Sequence, residues 1–106
     1  VRIFPSRHTA DFGQTDDREL ELLDSILGRV LGSMNSLLDT PPYNMVVQSA
    51  PMRTASADAF HWWIDILPRL TTDGGFELAT GIPINIVTPE SAAADLRDAL
   101  AKQETR

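Results

Sequence analysis

The sequence predicts an α+β fold: an antiparallel sheet of about four to five strands, with one long helix and a C-terminal helix packed on it. Three observations predict it. Apolar residues recur at three- and four-residue steps through residues 20–38, the signature of a helix with one buried stripe. β-prone segments then follow one another instead of alternating with helices. Near the end, Thr88-Pro89-Glu90 opens a second helix. With 106 residues, the chain forms one domain over residues 1–106.

The elements follow in order. Residues 1–4 are a short strand that Pro5 stops, and residues 5–9 read as a turn. Asp16, with Glu19 three residues on, resembles a capping box at a helix start. Leu20, Leu23, Leu27, Val30, Leu31, Met34 and Leu38 then form the stripe, and Thr40-Pro41-Pro42 ends the helix. Gly28 and Gly32 weaken it locally or admit a close neighbour. Residues 43–50 are a strand stopped by Pro51, and residues 52–58 a polar loop. Residues 60–67 are the most aromatic strand, ended by Pro68. Residues 71–80 read as a further strand with Gly74-Gly75 at a bulge, extended by residues 84–87. In the last helix Ala93, Leu96 and Leu100 give a narrow apolar face, and residues 102–106 are expected to fray.

Composition narrows the function classes. The net charge of −6 repels a phosphate backbone, so nucleic acid is not an expected partner. With no cysteine, disulfides and thiolate metal sites are excluded, which is compatible with a cytoplasmic protein. No apolar run approaches the roughly 18 residues of a membrane span, so no membrane is expected. The chain starts without Met in strand-like sequence, which points either to a piece of something longer or to ordinary processing.

The chemistry-bearing segment is Phe60-His61-Trp62-Trp63-Ile64-Asp65-Ile66-Leu67-Pro68-Arg69. Alternation along a strand puts His61, Trp63 and Asp65 on one face, with Trp62, Ile64 and Ile66 on the core side. The open-face row is either a ligand-facing surface or a Trp63 partly buried under a loop between two solvated neighbours. His8, in the opening turn, is expected to lock that loop by a hydrogen bond.

This segment resembles the signature of the histidine-triad superfamily. Six stretches, residues 41–46, 48–51, 61–62, 66–69, 75–77 and 89–93, together narrow the resemblance to the C-terminal half of galactose-1-phosphate uridylyltransferase-like proteins, and residues 4–8 also resemble the turn that begins such domains. The resemblance implies a longer, two-domain nucleotidyltransferase. There, an N-terminal histidine attacks the phosphorus of a nucleotide sugar, because neutral imidazole is nucleophilic and its phosphoramidate is labile.

Carried over residue by residue, the resemblance puts Trp63 at the position of the reactive histidine. Indole nitrogen has no basic lone pair, so no catalytic residue is expected here. The accessory metal site implied for this half would fall on Gln48, His61 and Trp63. Only one imidazole remains, so neither a metal nor another cofactor is expected in this domain, although zinc or iron belongs to some parent proteins. Glu77 falls where the resemblance implies a reader of hexose hydroxyls; the loop at residues 79–85 departs from the family, which has a phosphate-contacting glutamine there, and Asn85 is the candidate substitute. The expected substrate-binding residues are thus Glu77, His61, Asn85, Gln48 and Trp63. The expected function is a C-terminal lobe that binds a nucleotide sugar or hexose phosphate, meets its own N-terminal domain, forms a homodimer, and is inert alone. The alternative is a free-standing degenerate module without enzymatic activity.

Overall fold

A computed structural model describes residues 1–51, 57–71, 74–82 and 85–105. In chain order the elements are strand β1 (Arg2–Ile3), helix α1 (Asp17–Leu38), strands β2 (Tyr43–Gln48) and β3 (Trp63–Pro68), and helices α2 (Gly75–Thr80) and α3 (Pro89–Glu104). Short 3-10 turns occupy Phe12–Gln14 and Ala57–Ala59. The expected α+β class with an antiparallel sheet is present. Its contacts divide it into two compact units: Val1–Asp24 with Tyr43–Pro68, and Ser25–Pro42 with Arg69–Arg106.

The first unit contains the sheet, ordered β1-β3-β2 and antiparallel throughout. β3 is central. Arg2 lies opposite Asp65, and β2 runs in continuous register from Tyr43 opposite Pro68 to Gln48 opposite Trp63. The predicted alternation is present: Trp62, Ile64 and Ile66 are buried on one side. The start of α1 also lies in this unit. Asp16 Oδ1 accepts from the Glu19 N–H at 2.8 Å, and Glu19 Oε1 accepts from the Asp16 N–H, completing the capping box.

In the second unit Met34 and Ala99 are buried. Gln103 lies so close to Gly32 that a β-carbon there would collide with its amide, whereas Gly28 has open space around it. α1 stops at Leu38 because Asp39 and Thr40 turn to positive φ, with the Thr40 N–H closing on Asn35 O at 3.0 Å. α3 begins as predicted, with Thr88 Oγ1 accepting from the Ser91 N–H.

Three expectations fail. The strand expected at residues 71–80 is not present among the described residues: from Gly75 they form α2. Gly74 is its N-cap, its N–H bonds to Glu77 Oε2 at 2.9 Å, and Gly81 closes the far end at φ 71°. Glycines at both ends and a glutamate at the third helical position make this a capped turn of helix. Residues 85–87 are likewise not a strand, so the described residues hold three strands instead of four or five. Residues 102–104 do not fray: α3 runs to Glu104, whose carboxylate meets Arg29 at 2.8 Å. The polar loop expected at residues 52–58 lies mostly outside the described residues, as does residue 84.

Candidate functional site

β3 builds the open face of the sheet. Trp63 and Asp65 are two residues apart on an extended strand, so they project on the same side and their side chains meet. The Trp63 Nε1–H donates to Asp65 Oδ2 at 3.0 Å. Arg2, opposite Asp65 on β1, donates from Nε to Oδ1 at 2.8 Å and from Nη2 to Oδ2 at 3.4 Å. Its guanidinium lies 4.7 Å from the Trp63 ring centre, within cation–π range. The Phe60 ring stacks on Trp63 at 5.3 Å and 18°. The Arg2 hydrogen bond, aided by the Trp63 N–H and set against burial, holds the Asp65 carboxyl below the usual carboxylate range. The same bond raises the Arg2 guanidinium.

This arrangement settles what the row can do chemically. Asp65 is a committed acceptor, and the indole N–H is spent on it. Trp63 offers no lone pair for attack on phosphorus and none for a metal. Arg2 and Phe60 were not among the expected site residues. Arg2 was findable in principle, since pairing an N-terminal strand with β3 puts its charge across from Asp65.

Gln48 stands directly across from Trp63 in the β2–β3 ladder and is exposed. Its amide supplies a donor and an acceptor for a polar ligand beside the indole. His61 precedes β3 instead of lying in it. The strand expected at residues 60–67 begins at Trp63, because the backbone before it turns to other partners. The His61 Nε2–H donates to Pro5 O at 2.7 Å, and the Trp62 N–H to Thr9 O at 3.1 Å. His8 closes the same corner: its Nε2 lies 3.1 Å from Asp58 O and 3.0 Å from Phe60 O. Carbonyls only accept, so both rings carry their proton on Nε2, and Nδ1 holds the lone pair when neutral. The two rings are 5.2 Å apart, a proximity not anticipated from sequence. His8 does lock the loop, as expected.

Gln48, His61 and Trp63 do not fit the accessory metal that the resemblance implies. One is an amide and one an indole whose N–H is held by Asp65, which leaves a single imidazole, too few nitrogen ligands for zinc or iron. Among the described residues no three His, Asp or Glu side chains gather as a metal site would need.

Glu77 and Asn85 belong to the second unit. Glu77 is half-exposed at the start of α2, with one carboxylate oxygen taken by the Gly74 N–H. Asn85 is exposed and outside regular structure. A shallow cleft in this unit is lined by Ser36, Leu37, Asp95, Asp98, Ala99 and Lys102, none of them an expected site residue. No described helix is long and apolar enough to cross a membrane.

Comparison with known proteins supplies the context. No protein-family model matches the chain. ADP-glucose phosphorylase of Arabidopsis thaliana is 34% identical over 100 residues, which span 92% of this chain and 28% of that protein. The crystal structure of an ADP-glucose phosphorylase from Arabidopsis thaliana with bound ADP-glucose superposes with a TM-score of 0.85 at 36% identity, over 91% of this chain and 32% of that one. A structure of uridylyltransferase superposes with a TM-score of 0.82 at 27% identity, over 95% of this chain and 34% of that one. The chain thus spans about a third of the length of the proteins it matches.

Proposed function

The chain is homologous to galactose-1-phosphate uridylyltransferase-like proteins of the histidine-triad-like group over about a third of their length, and from that premise we propose that it is the C-terminal lobe of a nucleotidyltransferase acting on a nucleotide sugar and a hexose 1-phosphate. In this reading the lobe contributes sugar-phosphate binding and dimer contacts, and transfers no nucleotidyl group by itself. The observation that carries it is Trp63. At the position of the reactive histidine stands an indole whose N–H is held by Asp65 and whose ring lies against Arg2 and Phe60. Binding residues remain: the Gln48 amide beside Trp63, and the half-exposed Glu77 carboxylate, suited to accept from hexose hydroxyls. Asn85 and His61 complete the proposed set. A relative with ADP-glucose bound supports a nucleotide sugar as the ligand class.

The purified chain, incubated with ADP-glucose or a uridine-diphosphate hexose and analysed by intact mass, should gain no nucleotidyl adduct. An adduct mapped to His61 or His8 would overturn the inert reading. In the parent protein, Glu77→Ala should raise the KM for hexose 1-phosphate while leaving nucleotidylation of the N-terminal half unchanged. Equal loss of both would assign Glu77 to α2 capping alone.

A further inference from the structure

We infer that the Arg2 guanidinium takes, in this chain, the place of the accessory metal ion that the family resemblance implies for this half: a fixed organic cation that holds the open face of the sheet together. The inference rests on the homology to that family. It goes beyond the sugar-binding reading, which can fail without it.

The sheet register places the cation. Gln48 and Trp63 are direct partners in the β2–β3 ladder, so they project on the same side. Asp65, two residues after Trp63, shares that side, and Arg2, the partner of Asp65 in β1, shares it as well. Three strands thus present Gln48, Trp63, Asp65 and Arg2 to one patch. A metal held there would join side chains of neighbouring strands, because directly opposed β-carbons lie about 4.5–5.5 Å apart. In this chain Arg2 makes the join.

The chemistry of the patch calls for a positive charge. The Asp65 side chain is only 19% exposed, and a carboxylate withdrawn that far from water needs a counter-charge and hydrogen-bond donors. Arg2 supplies both, with Nε on Oδ1 at 2.8 Å and Nη2 on Oδ2 at 3.4 Å. That bond is the main cause holding the Asp65 carboxyl below the usual carboxylate range. The same guanidinium lies 4.7 Å from the Trp63 ring centre. A planar, delocalised cation grips a carboxylate with its edge and an indole with its face, whereas a compact ammonium has no such plane. Trp63 in turn donates Nε1–H to Asp65 Oδ2 at 3.0 Å. Each of the three side chains therefore holds the other two, as ligands around one ion do. The tie matters locally, because β1 is two residues long and pairs with β3 at Arg2 and Ile3.

Zinc and salt test it on the purified chain. Neither zinc nor excess EDTA should move the melting temperature of the wild type. Gln48→His with Trp63→His gives, beside His61, the three imidazoles that the resemblance implies. Zinc should raise the melting temperature of that double variant. Adding Arg2→Met to it should tighten zinc binding by about tenfold or more, because the divalent ion no longer meets a fixed positive charge a few ångströms away. Zinc affinity that is equal, or absent, with and without Arg2 would overturn the inference, as would a wild type that zinc stabilises or EDTA destabilises. Salt gives a reading that does not depend on the double variant folding. In about 1 M sodium chloride, where the screening length is about 3 Å, the gap in melting temperature between the wild type and Arg2→Met should shrink. A gap that salt leaves unchanged would make Arg2 a packing residue and overturn the inference. No arm uses a sugar, so none of these outcomes bears on Glu77 or hexose binding.

Discussion

Arg2, Trp63 and Asp65 hold one another on the open face of β3. An imidazole at position 63 would present a lone pair to the open face, whereas the indole presents a donor that Asp65 consumes. The charge linkage has a definite sign. Asp65 titrates lower in the folded chain than in the unfolded one, so the unfolded state binds more protons in acid. The stabilisation is present above the ordinary carboxylate pKa of about 3.9 and disappears as pH falls through the lower folded value. Arg2→Met removes the main cause of the shift. Urea titrations at a series of pH values should show a stability deficit for Arg2→Met near neutrality that shrinks as pH falls from about 3.9 through the lower folded value. A deficit independent of pH would assign Arg2 to packing on Trp63 instead.

The helices and strands differ in how plainly the sequence announces them. α1 and α3 carry their caps in the chain itself, through Asp16 with Glu19 and through Thr88 with Pro89, so their starts were legible. β3 was legible from alternation, but its first residue was not. Phe60, His61 and Trp62 leave the ladder because their partners, His8, Pro5 and Thr9 respectively, come from a distant turn. α2 was misread because Gly74-Gly75 suits a bulge as well as a cap; the spacing to Glu77 and Gly81 was the signal that separated them. Gln48 and Trp63 come together through ladder register, whereas Glu77 rested on resemblance, and its capping role appears only with α2. At this scale Gly28 offers a direct test. It lies within α1 with open space where a β-carbon would go. Gly28→Ala should stabilise the chain by ~0.5–1 kcal/mol in urea denaturation, because glycine costs that much in a helix interior. A destabilised variant would mean that something covers this face of the helix.

Across the whole molecule, two compact units have separate buried residues: Trp62, Ile64 and Ile66 in one, Met34 and Ala99 in the other. α1 is one unbroken helix whose first eight residues belong to the first unit and whose remainder belongs to the second. That shared backbone predicts common unfolding. Both tryptophans lie in the first unit, whereas α3 and most of α1 lie in the second, so indole fluorescence reports on the first unit and helical ellipticity mainly on the second. Ile66→Ala, at a fully buried position, should cost ~2–5 kcal/mol and lower both midpoints equally. Separated midpoints would show that the units melt independently.

The adjacent indoles of Trp62 and Trp63 also bear on folding fidelity. A strand shifted by one residue against its neighbours would still bring a tryptophan to the buried side, so the aromatic pair alone tolerates misregistration. Asp65 removes that tolerance, since the same shift would drive its carboxylate into the layer now held by Ile64 and Ile66, away from Arg2. The residue that binds the indole N–H thus also proofreads the central strand, rejecting the neighbouring frame during assembly.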